Sequence, residues 1–335
     1  MSDDASSADK SRRKNRMTPI IMGSGMTAKR WILGGLLIAA LAPTGAAEET
    51  VFRVAVRAAD LRGEPTPAGP TLEHDPLEES QLLYGEPVRI LEEGDGWARV
   101  EAVEQAEWSH HNRWEGYPGW LKKTDLLAEP NGWLPNSIVT AKETAVRNDP
   151  APEARAKILL SIGSRLMESS SLEKGWRRVR LLDKSEGWVP ENDLSPLPVR
   201  FANDSLLRRN LVRTARFFIG DPYRWGGRGA RTGVDCSGLT GLVYQANGIV
   251  IPRDADEQFR KARPMSRDQL KPGDLVFLSD PKNPQKITHV MLYAGENRLI
   301  EGPGTGGKVR EIEMESRLEE AAKTGRRASF GSYLP

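Results

Sequence analysis

The chain is poor in the residues that build covalent cross-links and metal sites. Its 335 residues include one cysteine, Cys236, and four histidines. A single cysteine excludes an intramolecular disulfide framework and any zinc or iron–sulfur site that needs several thiolates. His110 and His111 are adjacent in a hydrophilic loop, where neighbouring side chains point to opposite faces and chelate poorly. We therefore predict no metal and no cofactor.

The chain also lacks a strong excess of charge of either sign. It has 48 basic and 46 acidic residues, a formal net charge of +2, which gives no electrostatic reason to expect a nucleic-acid partner.

Long hydrophobic runs are missing as well. The apolar run from Trp31 to Ala42 is well short of the roughly 20 residues that a membrane-spanning helix needs. Basic residues precede this run, and the small residues Gly45 and Ala47 follow it, which is typical of a secretory signal. We predict that residues 1–47 form a signal with a long basic region, and that the protein is exported to the periplasm, the cell wall or the medium. The alternative is a signal retained as a membrane anchor, which would be the only membrane contact.

A repeated pattern covers the middle of the chain, whose length indicates two or three domains. Two Gly-Trp pairs occur in each copy, and an aspartate follows the second pair by the same interval: Gly96-Trp97 with Gly119-Trp120, and Gly175-Trp176 with Gly187-Trp188. Short apolar runs closed by turn residues indicate antiparallel strands. We predict two small closed β-barrels, residues 48–130 and 131–198, with these tryptophans packed inside; the alternative is that they form a recognition surface.

The only cysteine lies at a predicted helix start. After the linker Ser195–Pro198, helical periodicity appears, and from Cys236 onward apolar residues fall on one helical face. Free backbone N–H groups and the positive end of the dipole at a helix start favour a thiolate. A buried inert cysteine is the alternative. The glycine-rich approach with Asp235 and Ser237 beside the sulfur favours a nucleophile.

A thiol nucleophile needs a base, and His289 is the only histidine after residue 111. It lies in an apolar segment that reads as a strand, so its imidazole can face the preceding helix. Glu301 ends the next predicted strand and can hold the second imidazole nitrogen. The order of thiol, imidazole and polar residue along the chain is papain-like.

Several short motifs now carry a family resemblance. They are Tyr223-x-Trp225-Gly226-Gly227, Asp235-Cys236-Ser237-Gly238, Pro252-Arg253-Asp254, Pro272-Gly273-Asp274-Leu275 and His289-Val290. This combination resembles the NlpC/P60 family of cell-wall cysteine peptidases, and the two repeats resemble bacterial SH3-like (SH3b) domains. The whole is most similar to the YkfC-type γ-D-glutamyl-L-diamino acid endopeptidases. The resemblance implies an α+β fold, with a papain-like catalytic domain at 199–335 preceded by the two SH3-like barrels.

The resemblance also implies roles for individual residues. Cys236 would be the nucleophile, His289 the base and Glu301 the orienting residue, although His, Asn or Gln is more usual there. A carboxylate can still accept the imidazole N–H and stabilise an imidazolium. A solvated glutamate at a strand end is the alternative for Glu301.

Substrate contacts are implied in the same way. Tyr223 would lie near the oxyanion, Trp225 would line the cleft, and Asp235 and Ser237 would hold the D-Glu part of the substrate. The free amine of an N-terminal L-Ala would be held by Asp254, Tyr117 and Glu79.

The implied function is hydrolysis of the bond after γ-D-Glu in peptidoglycan-derived peptides that begin with a free L-Ala. One alternative is a D,L-endopeptidase that cuts intact peptidoglycan stems. Another is a non-catalytic wall-binding protein with a decayed site. A transferase or deamidase on the same scaffold has no separate support in the sequence.

Overall fold

A computed structural model describes residues 50–69, 74–230, 232–304 and 306–335. The predicted export signal, residues 1–47, lies outside the described residues. The described residues belong to one compact unit. Within the described ranges, no helix combines the length and the apolar character needed to cross a membrane.

The first part of the chain forms an antiparallel sheet of seven strands. Their bounds are β1 (Phe52–Val54), β2 (Ala58–Arg62), β3 (Glu78–Leu83), β4 (Pro87–Glu93), β5 (Trp97–Glu107), β6 (Glu115–Lys122) and β7 (Leu126–Ala128). The order across the sheet is β3-β2-β6-β5-β4-β1-β7. Alternating apolar residues such as Val54, Leu61, Val100 and Leu121 are fully buried on one face, as period-two patterning requires.

A second antiparallel sheet repeats this arrangement. Its strands are β8 (Ser137–Val139), β9 (Glu143–Arg147), β10 (Ala156–Ser161), β11 (Arg165–Glu173), β12 (Trp176–Arg180), β13 (Glu186–Pro190) and β14 (Leu194–Pro196). The order is β10-β9-β13-β12-β11-β8-β14, which is the order of the first sheet strand for strand. The domain bounds 48–130, 131–198 and 199–335 stay a prediction.

The prediction of closed barrels is not confirmed. Within the described residues, pairing in each sheet runs from one edge strand to the other without closing, from β3 to β7 and from β10 to β14. In the first sheet the edge of β3 has other partners. Its Gln81 carbonyl accepts hydrogen bonds from the side chains of Gln105 and Arg228, at 2.9 and 2.8 Å. These bonds satisfy an edge carbonyl that barrel closure would otherwise have to pair.

The repeated tryptophans are not the core that the sequence suggested. Trp97, Trp120, Trp176 and Trp188 are all only partly buried. Among the described residues the fully buried tryptophan is Trp133, which lies between the two sheets in the chain and outside the repeated pairs. Small residues and aliphatic residues fill the sheet interiors instead. In β5 and β13, Trp97 and Trp188 alternate with the buried residues Ala98 and Val189, so these indoles point to the opposite face of the sheet.

The remaining residues form helices around a six-stranded sheet. The helices are α1 (Asp204–Arg216), α2 (Cys236–Ala246), α3 (Ala255–Lys261) and α4 (Met314–Lys323). The strands are β15 (Arg228–Gly229), β16 (Gly233–Val234), β17 (Arg263–Met265), β18 (Leu275–Ser279), β19 (Ile287–Gly295), β20 (Arg298–Glu301), β21 (Arg310–Glu313) and β22 (Ala328–Ser332). The sheet order is β17-β22-β18-β19-β20-β21, with β15 and β16 pairing separately. The central strand β19 contacts α1, α2 and α3, which places the helix that starts at Cys236 against the strand that carries His289.

Buried arginines join the first sheet to the α+β region. Nη2 of Arg224 lies 3.0 Å from Oε1 of Glu78, and Nη1 of Arg228 lies 3.1 Å from Oε2 of Glu86. Gly226, between them, has a φ of +71°, and a Cβ there would lie 2.5 Å from Cγ of Glu78. Only glycine permits so close an approach together with this backbone conformation.

Candidate active site

Cys236 is the first residue of α2, as the sequence predicts. Asp235 caps the helix, and its Oδ1 accepts a hydrogen bond from the backbone N of Gly238 at 2.5 Å. A Cβ at Gly238 would lie 2.1 Å from the carbonyl oxygen of Gly227, so the glycines around the thiol allow the two backbones to touch. The sulfur is therefore held at a helix N-terminus, where the free N–H groups favour negative charge.

His289 on β19 is buried and lies between the thiol and a carboxylate. Its Nε2 is 2.7 Å from Oε2 of Glu301 on β20. The Cys236 side chain forms a hydrogen bond with the same ring. Because Nε2 faces Glu301, Nδ1 is the ring nitrogen left for this bond. Burial lowers the pKa of His289, but the hydrogen bonds to Cys236 and Glu301 outweigh it and raise that pKa to about 9. Such a ring is an imidazolium at neutral pH when it faces a thiolate.

Glu301 is fully buried at the end of β20 and is not a solvated strand-end residue. Burial raises its pKa, but the bond to His289 and the charges of Arg317 and Arg310 outweigh burial and lower it to about 2. The carboxylate is therefore ionised across the physiological range.

A buried arginine organises the residues predicted to hold D-Glu. Nη2 of Arg253 lies 2.8 Å from Oδ2 of Asp235, and its Nη1 lies 2.9 Å from Oγ of Ser237. Nε of Arg253 also donates to Oγ of Ser80 on β3 at 2.6 Å. Asp235 and Ser237 thus lie together beside Cys236. Arg253 was missed as a site residue, although it stands in the Pro252-Arg253-Asp254 motif.

Three residues from distant parts of the sequence meet at the wall of this site. Oη of Tyr117 on β6 is 3.2 Å from Oε2 of Glu79 and 3.2 Å from Oδ2 of Asp254. Burial and these two carboxylates hold the pKa of Tyr117 well above its usual range, so it carries a proton. A phenol has one O–H to donate. One of the two carboxylates therefore keeps acceptor capacity that Tyr117 cannot satisfy.

The remaining predicted residues differ in their exposure. Tyr223 is buried, and burial together with Cys236 raises its pKa, so its O–H stays available as a donor beside the thiol. Trp225 is 45% exposed, and its ring lies 5.3 Å from that of His74. Its indole therefore lies on the surface rather than in the protein core.

One group among the described residues has metal-ligand chemistry. Ligand atoms of Glu107, His111 and Glu115 lie within 4.8 Å of one another. His111 pairs with Glu115, and Oε2 of Glu107 lies 3.1 Å from Nδ1 of His110. These groups are already hydrogen-bonded to protein partners, so the cluster carries no metal assignment.

Comparison with known proteins places this geometry in context. Residues 220–327 match the model of the NlpC/P60 family. A gamma-D-glutamyl-L-lysine dipeptidyl-peptidase of Bacillus subtilis is 28% identical over 248 residues, which cover 73% of this chain and 79% of that protein. The dipeptidyl-peptidase 6 of Lysinibacillus sphaericus is 29% identical over 240 residues, which cover 68% of this chain and 81% of that protein.

A solved structure shares the fold. A crystal structure of an NlpC/P60 family protein from Bacillus cereus superposes with a TM-score of 0.73 at 24% sequence identity. The match covers 85% of this chain and 100% of that one, so the similarity includes both the α+β region and much of the preceding sheets.

Proposed function

This chain carries an NlpC/P60 domain, and from that premise we propose that the protein is an exported cysteine peptidase. Its substrates are peptidoglycan-derived peptides that begin with a free L-Ala, and it hydrolyses the bond between γ-D-Glu and the L-diamino acid. Two relatives from Bacillus are named gamma-D-glutamyl-L-lysine dipeptidyl-peptidases, and these names support the choice of this bond. The placement of Cys236, His289 and Glu301 supports the thiol mechanism.

The observation that carries the substrate proposal is the meeting of Glu79, Tyr117 and Asp254. Two carboxylates converge on one phenol, which can donate to only one of them at a time. A primary ammonium has three donors and a positive charge, so it satisfies the remaining acceptors. An acylated amine has neither the charge nor the donors, and this discriminates against intact stems, whose L-Ala nitrogen is in an amide bond.

In the proposed mechanism the thiolate of Cys236 attacks the γ-carbonyl carbon of D-Glu. The oxyanion forms near the backbone N–H of Cys236 and the O–H of Tyr223, both of which are donors. The imidazolium of His289 gives its proton to the leaving amine as the C–N bond breaks, and a thioester remains. His289 then takes a proton from water and the hydroxide attacks the thioester carbon. The C–S bond breaks, which releases the carboxylic acid and regenerates the thiolate of Cys236 beside the imidazolium of His289.

The test is release of L-Ala-γ-D-Glu from synthetic L-Ala-γ-D-Glu-L-Lys and from the diaminopimelate peptide. Cys236→Ala is expected to abolish release, and equal turnover by that variant would refute the thiol mechanism. The N-acetyl-L-Ala peptide is the matched substrate control. A kcat/KM for the acetylated peptide equal to that for the free peptide would favour the endopeptidase acting on intact stems.

A wall-binding protein with a decayed site is tested without any substrate. Iodoacetamide at a pH of about 5.5 is expected to alkylate Cys236, because a histidine beside the sulfur and the free N–H groups at a helix start are the surroundings of a reactive cysteine. An ordinary thiol, with a pKa of about 8.5, would be almost fully protonated at that pH and would react slowly.

A further inference from the structure

Two arginines surround the carboxylate behind His289. Arg310 on β21 lies directly opposite Glu301 in the strand register, and its Nε and Nη2 are 3.0 and 2.7 Å from Oε1. Nε of Arg317 on α4 lies 3.2 Å from Oε1 and 3.1 Å from Oε2. Oε1 of Glu301 therefore accepts from both arginines, and Oε2 accepts from Arg317 and from His289.

This arrangement answers an electrostatic problem. A fully buried carboxylate alone against an imidazole would hold the ring as an imidazolium too strongly for it to release a proton. A lone buried carboxylate is also costly to desolvate. Two guanidinium groups offset that charge while leaving an oxygen to accept the ring N–H.

We propose that Arg310 and Arg317 are positioning residues for the cysteine–histidine pair. They neutralise Glu301 and fix its Oε2 on the Nε2–H of His289, so that the ring presents Nδ1 to Cys236. The ring thereby keeps its orientation without an uncompensated negative charge behind it. This inference rests on the proposed function only in taking Cys236 and His289 as a working pair.

Other charged groups near β19 do not duplicate this role. Strand β18, which pairs with β19, carries no charged residue. Three carboxylates on or near the elements packed against β19 have arginine partners: Asp235 with Arg253, Asp256 with Arg260, and Asp274 with Arg208. Besides Cys236, the group that contacts the His289 ring among the described residues is Glu301.

The test follows the rate of Cys236 alkylation by iodoacetate as a function of pH. This reagent is an anion, so the imidazolium accelerates its reaction with the thiolate, and the rate falls when His289 loses its proton. Arg310→Met and Arg317→Met each remove a positive charge near the ring. The alkaline limb is the part of the pH–rate profile where alkylation slows as His289 loses its proton. We expect this limb to move to higher pH by about 0.5 unit in each variant, because losing a nearby cation stabilises the protonated ring.

A matched variant controls for general loss of charge. Arg298 on β20 is 42% exposed in its side chain, close to the 47% of Arg310, but it pairs with Glu311 instead of Glu301. Arg298→Met is expected to leave the limb within about 0.1 pH unit, since it does not touch the carboxylate behind His289.

Two further variants fix the sign of the effect. Arg310→Lys keeps the charge, so its alkaline limb is expected to lie close to that of the unchanged protein, without most of the shift that Arg310→Met causes. Glu301→Gln removes the negative charge and should move the limb downward. The proposal would be overturned if the limb stayed at the same pH in both methionine variants while their thermal stability fell. The arginines would then only stabilise the fold. A downward shift in the methionine variants would also overturn the proposal.

The readout keeps this proposal separate from the substrate proposal. Alkylation needs no peptide, so the expected shifts can appear even if the tripeptide is not cleaved. Cleavage of the tripeptide with unmoved alkylation limbs would leave the proposed function intact and refute the role of the arginines.

Discussion

The two seven-stranded sheets have the same strand order, yet within the part of the chain that the structure describes only the first contributes residues to the candidate site. The difference lies in one hairpin. Strands β5 and β6 span 11 and 8 residues, whereas their counterparts β12 and β13 span 5 each. In the sequence, Gly96 and Gly119 are 23 positions apart, while Gly175 and Gly187 are 12 apart.

The longer hairpin reaches α3 of the α+β region. The backbone N of Trp108 and Oγ of Ser109, both at its tip, lie 2.9 and 2.6 Å from Oε1 of Glu257. This contact places Tyr117 beside Asp254, which lies about one helical turn before Glu257 at the start of α3. The second sheet contacts the same region through bonds such as Lys142 to Asp221, at 2.7 Å between Nζ and Oδ1. The extended hairpin is thus one clear difference between two copies of one topology, and it supplies Tyr117 to the candidate site.

The largest effect should come from Asp254→Asn, which removes the charge on the α+β side of the wall. We expect kcat/KM for the tripeptide with a free L-Ala to fall by about 100-fold, mostly through KM, because a charged hydrogen bond to the ammonium is lost. Steady-state kinetics on the free and the N-acetylated peptide measure it. An equal loss on both peptides would mean that Asp254 does not contact the amine.

The pH dependence of KM should show the next largest effect. Burial raises the pKa of Asp254 against the charge of Arg253, and Glu257 and Asp235 raise it further, to about 7. Below that pKa the carboxyl is neutral, so KM for the free peptide should fall by about tenfold as pH rises from about 5 to about 7. The Asp254→Asn variant should show a flat profile over this range. A slope that persists in the variant would assign the titration to another group.

Glu79→Gln tests the contribution of the first sheet directly. We expect KM for the free peptide to rise by about fivefold, since the amide keeps one acceptor but loses the charge. Lys157 occupies the corresponding position of the second sheet, because it precedes Gly163 by the same number of residues as Glu79 precedes Gly85. Lys157→Gln should leave KM unchanged. Comparable increases in KM in both variants would mean that the first sheet has no special part in binding the peptide.

The smallest effects should concern the docking contacts. Ser109→Ala removes one hydrogen bond to Glu257 and should lower the free energy of unfolding by about 1 kcal/mol and raise KM about twofold. Lys142→Met breaks a partly exposed ion pair of the second sheet and should cost less than about 0.5 kcal/mol with no change in KM. Denaturant unfolding and kinetics on the same samples separate the two. A larger change in KM from Lys142→Met than from Ser109→Ala would contradict the proposal that the first sheet forms one side of the site.

The local parts of the site could be predicted from the sequence. The helix start at Cys236 follows from the apolar periodicity and the Asp235 cap, and the scarcity of histidine leaves His289 as the partner. Glu301 could be placed by its position on the next strand, and the structure brings it to the ring. The catalytic roles of these residues stay a prediction.

Contacts between distant segments could not be predicted in the same way. Arg310 and Arg317 follow Glu301 on a neighbouring strand and a helix, and nothing in their spacing marks them as its partners. The prediction that the repeated tryptophans form the core was wrong because the Gly-Trp pattern does not indicate which face of the sheet the indole takes. The contact of Arg228 with the edge of β3 could not be predicted either, because Arg228 is 147 residues away from Gln81 in the chain.

The close contact at Gly226 bears on whether the α+β region can be separated from the first sheet, as a fragment or by proteolysis. The lack of a side chain at Gly226 lets the α+β region lie against Glu78 of the first sheet. The proposed amine site, where Glu79 and Tyr117 meet Asp254, is therefore built by two segments, and a fragment beginning near residue 199 would contain the thiol without Glu79 and Tyr117. Cleaving the intact chain between those segments would change which peptides it accepts before it changed the chemistry.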